Sequence, residues 1–296
     1  MHNPGAGRQG EDDAEELQRF LADHGHDVRY QSTKEGGWKH ALKKEADLVV
    51  VAAGDGTVGR VTRRMVDRGV PVALLPSGTA NNIARTLGIV DKPFEALVRG
   101  WEDGRRVRLD VGVAAGPWGE RYFIEGLGCG VFADLLASAK GNKKELKKRK
   151  DAVENAMQRL RDIAEHCKPL EVVARLDGKE ISGRYLMLEV LNLRYVGPNL
   201  HLAHDSQPGD GQFDVVLVTE AERDRLLYYL DHWQENRERL AVLPSLRGNK
   251  LELEWTGIPL HIDDKLYPKP KAKPSEIAGL VEARLDGDSV EFLLPA

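Results

Sequence analysis

Leu48-Val49-Val50-Val51-Ala52-Ala53-Gly54-Asp55-Gly56-Thr57 is the stretch around which the rest of the chain arranges itself. Its six leading apolar residues, three of them β-branched valines, predict a short strand buried on both faces. Gly-Asp-Gly-Thr ends the run, and a helix is predicted from Val58 to Arg68. Parallel α/β sheets bind ligands at the carboxyl ends of their strands, where helix N-termini offer free amides and a positive dipole. Gly54 and Gly56 let a phosphate come close to the backbone because neither carries a Cβ. Asp55 would face a phosphate only through a metal ion or a hydroxyl donor. Thr57 supplies a hydroxyl or a helix cap. Alone, such a tetrapeptide describes an ordinary strand-to-helix turn.

The pattern returns at Val70-Pro71-Val72-Ala73-Leu74-Leu75-Pro76-Ser77-Gly78-Thr79-Ala80-Asn81-Asn82-Ile83-Ala84-Arg85, an apolar strand running into a Gly-Thr turn and a helix. Two neighbouring strands with such turns would face one nucleotide from two sides. Gly54 to Thr57, Pro76 to Asn82 and Ala84-Arg85-Thr86-Leu87-Gly88-Ile89 together resemble the catalytic domain of the diacylglycerol kinase family, in its soluble bacterial lipid-kinase branch. Sphingosine kinases and NAD kinases share the Gly-Asp-Gly-Thr turn. The resemblance implies ATP and Mg2+ in a cleft between two domains, and transfer of the γ-phosphoryl group to a hydroxyl of diacylglycerol or a related lipid.

The remaining composition fits that expectation. The chain has 296 residues, enough for two cores. A formal net charge of -4 speaks against nucleic acid as a partner. Cys129 and Cys167 are too few for a disulfide framework and lack metal-ligand spacing. No apolar run reaches the roughly 20 residues of a membrane span, and no signal-peptide core opens the chain. The expectation is a cytoplasmic protein, peripheral to the inner face of the membrane where its lipid substrate lies. Residues 140–150 hold Lys140, Lys143, Lys144, Lys147, Lys148, Arg149 and Lys150 against Glu145. They read as the solvated face of a helix or as a dock for anionic headgroups, worth about 1 kcal/mol per basic residue at such a surface.

Towards the N-terminus, His2-Asn3-Pro4-Gly5-Ala6-Gly7 resembles the family's opening turn, but the strand that normally leads into it is missing. A gap or unpaired edge beside the strand at Leu48–Ala52 is therefore expected. Thr33 falls where the family has a nucleotide-contacting threonine, and equally suits a helix N-cap. Phe94 to Arg99 is expected to be helical, and beyond Gly104 short alternating segments, among them Phe213 to Thr219 and Val290 to Leu294, predict strands. The expected organisation is a Rossmann-like α/β nucleotide-binding domain over residues 1–104 and a β-rich, sandwich-like lipid or substrate domain over 105–296. Phe123 to Gly130 falls where the family has its Gly-rich turn.

Gly54, Asp55, Gly56, Thr57, Gly78, Thr79 and Asn81 are the candidate nucleotide-binding residues, with Thr33. Asn82 stands where the family has an aspartate. By resemblance a second, structural magnesium would sit on the Asp210 carboxylate and the main-chain oxygens of Gln207 and Gln212; a hairpin turn explains the same residues without metal. The resemblance also implies an Asp-Gly-Glu catalytic turn, at His261-Ile262-Asp263-Asp264-Lys265-Leu266 here. Lys265 occupies the glutamate position, and a charged ammonium cannot accept a proton. Three readings stay open: Asp264 acts as the base, the pairing of the motif slips by one residue in a loop, or the chain binds nucleotide without ordinary lipid phosphorylation. A kinase acting on another hydroxyl, such as that of NAD, is the remaining alternative.

Overall fold

The computed structural model describes residues 1–5, 14–139, 152–233 and 243–296. The basic run at 140–150 lies outside the described residues. The chain forms two units: Met1–Asp110 together with Asp288–Ala296, and Val111–Gly287. This differs from a single break at Gly104, because the last strand leaves the second unit and returns to the first.

In the first unit α1 (Ala14–Asp23) and α2 (Trp38–Ala41) precede β1 (Val49–Ala53), and α3 (Asp55–Thr62) follows it. β2 (Val72–Pro76), α4 (Asn82–Thr86), α5 (Phe94–Arg99) and β3 (Arg105–Asp110) complete this unit's run. β1 pairs in parallel with β2 from Val49↔Val72 to Ala53↔Pro76. The sheet order is β1, β2, the C-terminal strand Ser289–Leu294, then β3. Val51, Val72, Ala73 and Leu75 are at or near zero exposure, as a sheet covered on both faces requires. Phe292 on the returning strand is fully buried; burying such a ring contributes about 1.5–3 kcal/mol, which ties the chain's end into this core. The helix expected to reach Arg68 stops at Thr62.

The edge beside β1 is covered rather than open. His2 bridges both Ala52 and Ser32 in parallel. Ala52 N–H donates to Met1 O (3.0 Å) and Asn3 N–H to Ala52 O (3.1 Å), so Met1–Asn3 takes the first strand's place as a short stub. The Met1 amine donates to Val50 O at 2.8 Å, and burial pulls it down to about 6.

The second unit contains β4 (Gly112–Gly116), β5 (Gly119–Phe123), β6 (Gly126–Gly130), α6 (Val131–Ala139) and α7 (Ala152–His166). Next come β7 (Leu170–Val172), β8 (Ala174–Leu176), β9 (Lys179–Glu180), β10 (Gly183–Leu191), β11 (Tyr195–Val196) and β12 (Leu200–His201). The run closes with β13 (Phe213–Thr219), α8 (Arg223–Asp231), β14 (Ser245–Gly248), β15 (Lys250–Trp255), β16 (Leu260–Ile262), β17 (Lys265–Tyr267) and β18 (Gly279–Arg284). One sheet runs β14-β13-β10-β6-β16-β17, with β7 on β10; a second runs β5-β4-β18-β15-β8-β9. Phe213 and Val215 of β13 face the core shared with the second sheet, with Leu253, Trp255 and Val281. Val216 and Val218 face the opposite way, into a layer built from α6, α7 and α8. The period of two along β13 therefore serves two different cores.

Gly126–Gly130, expected as a turn, is instead a fully buried central strand. Its glycines make room for what neighbouring strands carry. A Cβ on Gly128 would fall 2.3 Å from Glu189 Oε2, and one on Gly126 would fall 2.4 Å from Val190 O.

Candidate active site

In the first unit the two Gly/Thr turns stand back to back at the carboxyl ends of β1 and β2. A Cβ on Gly78 would lie 2.3 Å from Gly54 Cα, and one on Gly54 would lie 2.8 Å from Gly78 Cα. Both positions must therefore be glycine for the backbones to meet. Ser77 N–H donates to Ala53 O (3.2 Å), and Gly78 N–H to Asn81 Oδ1 (2.8 Å). Asn81 returns a bond from Nδ2 to Gly78 O (3.0 Å) and adopts φ 54, a left-handed conformation that Asn tolerates. Asn81 thus braces the turn instead of capping α4 with its side chain.

Asp55 belongs to the first turn and serves the second. Its carboxylate accepts the Ile83 amide at 3.1 Å and faces the amides of Asn81 and Asn82. Burial pushes its pKa up, opposed by those amides. Thr57 is buried, and its hydroxyl accepts from Arg60 Nη2 at 2.9 Å. Arg60 and Arg64 lie over the Trp38 ring, at 5.6 and 4.8 Å. Thr33 is buried as well, with its hydroxyl on His2 O at 3.1 Å. Gly56 is exposed, so the open side of the cradle is backbone.

In the second unit Asp263 and Asp264 form a two-residue hairpin loop, since Ile262 pairs with Lys265. Asp263 has φ 48. Its carboxylate accepts three successive amides: Ile124 at 3.1 Å, Glu125 at 2.8 Å and Gly126 at 3.2 Å. Such an amide nest holds a carboxylate in place; all three amides reach Oδ1, and Oδ2 shares only that of Ile124, at 3.2 Å. Asp264 points into solvent, its side chain 47% exposed, and Lys265 Nζ donates to it.

Gln207, Asp210 and Gln212 are brought together in one loop. Asp210 N–H donates to Gln207 O (3.2 Å), and Asp210 Oδ1 accepts Gln212 N–H (3.0 Å). A guanidinium already balances the charge there: Arg247 bonds Asp210 Oδ2 and stands 4.0 Å from Asp214. Among the described residues no group of three or more His, Cys, Asp or Glu is placed to hold a metal ion. The loop offers one carboxylate and main-chain oxygens, to which a magnesium ion would add its own waters, and Arg247 occupies that carboxylate here. Chelation with EDTA is expected to leave the melting temperature unchanged. Arg247→Ala should lower it by a few degrees at most, because both side chains are partly exposed and such pairs contribute about 1 kcal/mol or less. A melting temperature that falls on chelation would place a metal in the loop.

Residues 1–114 match the diacylglycerol kinase catalytic domain, and residues 130–268 match the YegS C-terminal NAD kinase beta sandwich-like domain. The chain carries both of these domains. A diacylglycerol kinase of Bacillus subtilis is 26% identical over 97% of this chain and 88% of its own length. One from Mycobacterium tuberculosis is 25% identical over 78% of this chain and 74% of its own. A crystal structure of a Bacillus anthracis diacylglycerol kinase shares the fold, with a TM-score of 0.68 at 19% identity, over 96% of this chain and 92% of that one. The two Gly/Thr turns and the Asp263 loop are marked by their motifs, whereas the meeting of Gly54 with Gly78 is not. Glu189 and His261, a fully buried pair next to that loop, were not singled out. The signal was there: each is a titratable residue in the middle of an apolar strand, Leu188-Glu189-Val190 and Leu260-His261-Ile262. Among the described residues no helix is long and apolar enough to cross a membrane.

Proposed function

We propose that the chain is an ATP-dependent lipid kinase, transferring the γ-phosphoryl group of magnesium-bound ATP to a hydroxyl of diacylglycerol or a related lipid. The observation that carries the reading is the close approach of Gly54 and Gly78, which leaves two backbone turns bare of side chains at the ends of parallel strands. Phosphoryl transfer asks for a positioned triphosphate and an oriented hydroxyl rather than for covalent chemistry. Gly54, Gly56, Gly78 and Thr79 would meet the phosphates, with Asp55 holding the two turns in register. Access to the lipid would be peripheral, at a membrane surface.

Asp264 is the base in this reading. Asp263 is tied to its amide nest, while Asp264 is exposed and bonded by Lys265 Nζ. A general base contributes about 10²–10⁴-fold. Asp264→Ala is therefore expected to lose about that factor in transfer of labelled γ-phosphate to extracted lipids, and Lys265→Ala far less. Equal rates in the two variants would put the base elsewhere.

The ion pair between Lys265 and Asp264 also favours a second reading, a nucleotide-binding regulator whose carboxylate is occupied. ATP with magnesium would then raise the melting temperature while no phosphate reaches lipid or NAD. The double variant Asp264→Gly/Lys265→Glu would gain transfer.

A further inference from the structure

Glu189, Gly128 and His261 sit side by side on three neighbouring strands: Glu189 pairs with Gly128, and Gly128 with His261. The middle position has no side chain, so Glu189 and His261 reach across it, with His261 Nε2 to Glu189 Oε2 at 2.7 Å. Both side chains are at 0% exposure. Phe132 of α6 closes over the imidazole edge to face, 4.7 Å between ring centres. The other ring nitrogen, Nδ1, faces Asp263 O at 3.0 Å.

The bonding settles where one proton sits. A carbonyl oxygen only accepts, so Nδ1 carries hydrogen. Nε2 faces a carboxylate, and a further proton lies in that 2.7 Å bond, on one partner or the other. Glu189 Oε1 has no hydrogen-bond partner, so this single bond holds the buried carboxyl group. The remaining titratable groups around the pair are Cys129 of β6, Asp134 of α6 and the carboxylate of Asp263. The Cys129 thiol is pushed up to about 12, chiefly by burial, then by Glu189 and Asp134.

We infer that Glu189 and His261 are positioning residues for the catalytic hairpin: they clamp the carbonyl of Asp263 from beneath while the amide nest clamps its carboxylate, and so set where the neighbouring Asp264 carboxylate stands. Asp263 N–H donates to Gly126 O at 2.8 Å, so every polar group of Asp263 is held. Asp264, the next residue, is bonded by the exposed Lys265 side chain and takes its backbone placement from Asp263. The inference rests on the kinase reading for its catalytic meaning, though the clamp itself does not depend on it. A misplacement of about 1 Å at a reacting group can cost around 10²-fold in rate.

Two measurements on the full chain test it. On the wild-type protein, 15N spectra of the imidazoles should show a slowly exchanging Nδ1–H for His261 coupled across its bond to Asp263 O. An Nδ1 without hydrogen would overturn the clamp whether or not the protein is a kinase. In Glu189→Gln, amide exchange should speed up at Asp263 and at Ile124 to Gly126 ahead of the rest of the sheet. Uniform or unchanged exchange would also overturn it. In lipid phosphorylation, Glu189→Gln should lower kcat about 10–10²-fold with the KM for ATP unchanged, and should add no further loss to Asp264→Ala. Additive losses would make the pair merely structural. Absence of transfer by the wild-type protein would sink the kinase reading alone, leaving the exchange result to decide the clamp.

Discussion

Gly78→Ala is expected to disable the first unit. The added Cβ would fall 2.3 Å from Gly54 Cα and 2.7 Å from Asn81 Oδ1. The first neighbour is backbone, which cannot rotate aside, and the second is the side chain that braces the turn. Overpacking of a rigid site costs about 1–3 kcal/mol and occasionally more; with backbone on both sides the effect should reach or pass the upper end. The turns would have to separate, taking with them the paired amides proposed for the phosphates. Urea melts should therefore show a stability loss of roughly 3 kcal/mol or more, and ATP with magnesium should no longer shift the melting temperature. Gly88→Ala is the matched control. Gly88 has φ 73 with nothing within 4 Å of the added Cβ, so it carries only the left-handed penalty of about 1–2 kcal/mol. Gly78→Ala proving as mild as this control would show that the two turns can part without cost.

Glu189→Leu should produce the other large effect, this time in the sandwich. Removing one partner of a buried ion pair costs about 3–5 kcal/mol because a charge is left alone. His261 can escape part of that by losing its proton, which puts the expected loss near 3 kcal/mol, at the lower end of that range. Glu189→Leu combined with His261→Phe should recover most of it, since an apolar pair of similar volume needs no partner. The pH dependence has a definite sign. Burial lowers the His261 pKa, but the Glu189 carboxylate and the Asp263 carbonyl outweigh it, and the net direction is upward. A raised base contributes stability that is complete below its unfolded value, about 6.5, and fades as pH rises through the folded value. The gap in stability between the wild-type and the double variant should therefore be widest below pH 6.5 and narrow above it. A gap that widens with rising pH would mean that the pair is not held by the imidazole's proton.

Both predictions rest on places where a glycine faces something the local sequence does not reveal. The sequence by itself determined the alternation of apolar strand and Gly/Thr turn, because strand burial and bare turns are properties of a few consecutive residues. It likewise determined the strand Phe213–Thr219, whose bounds the structure repeats, and the helix Phe94–Arg99 behind its proline. Only the tertiary structure decided the rest. Val290 to Leu294 reads as one more strand of the second domain, yet the strand Ser289–Leu294 pairs with β2 and β3 because the open side of β2 needs an apolar neighbour and Phe292 supplies it. Gly126–Gly130 is a turn by family resemblance and a central strand in the fold, because its missing side chains are what Glu189 and His261 require. Asp55 reads as a metal-side carboxylate from its place between two glycines; only the fold shows that it also accepts the distant Ile83 amide, as Asp263 accepts those of Ile124 to Gly126. A residue type states which bonds a side chain can make; only long-range packing states which partners arrive, and that is why Asp264, not Asp263, is left to face solvent.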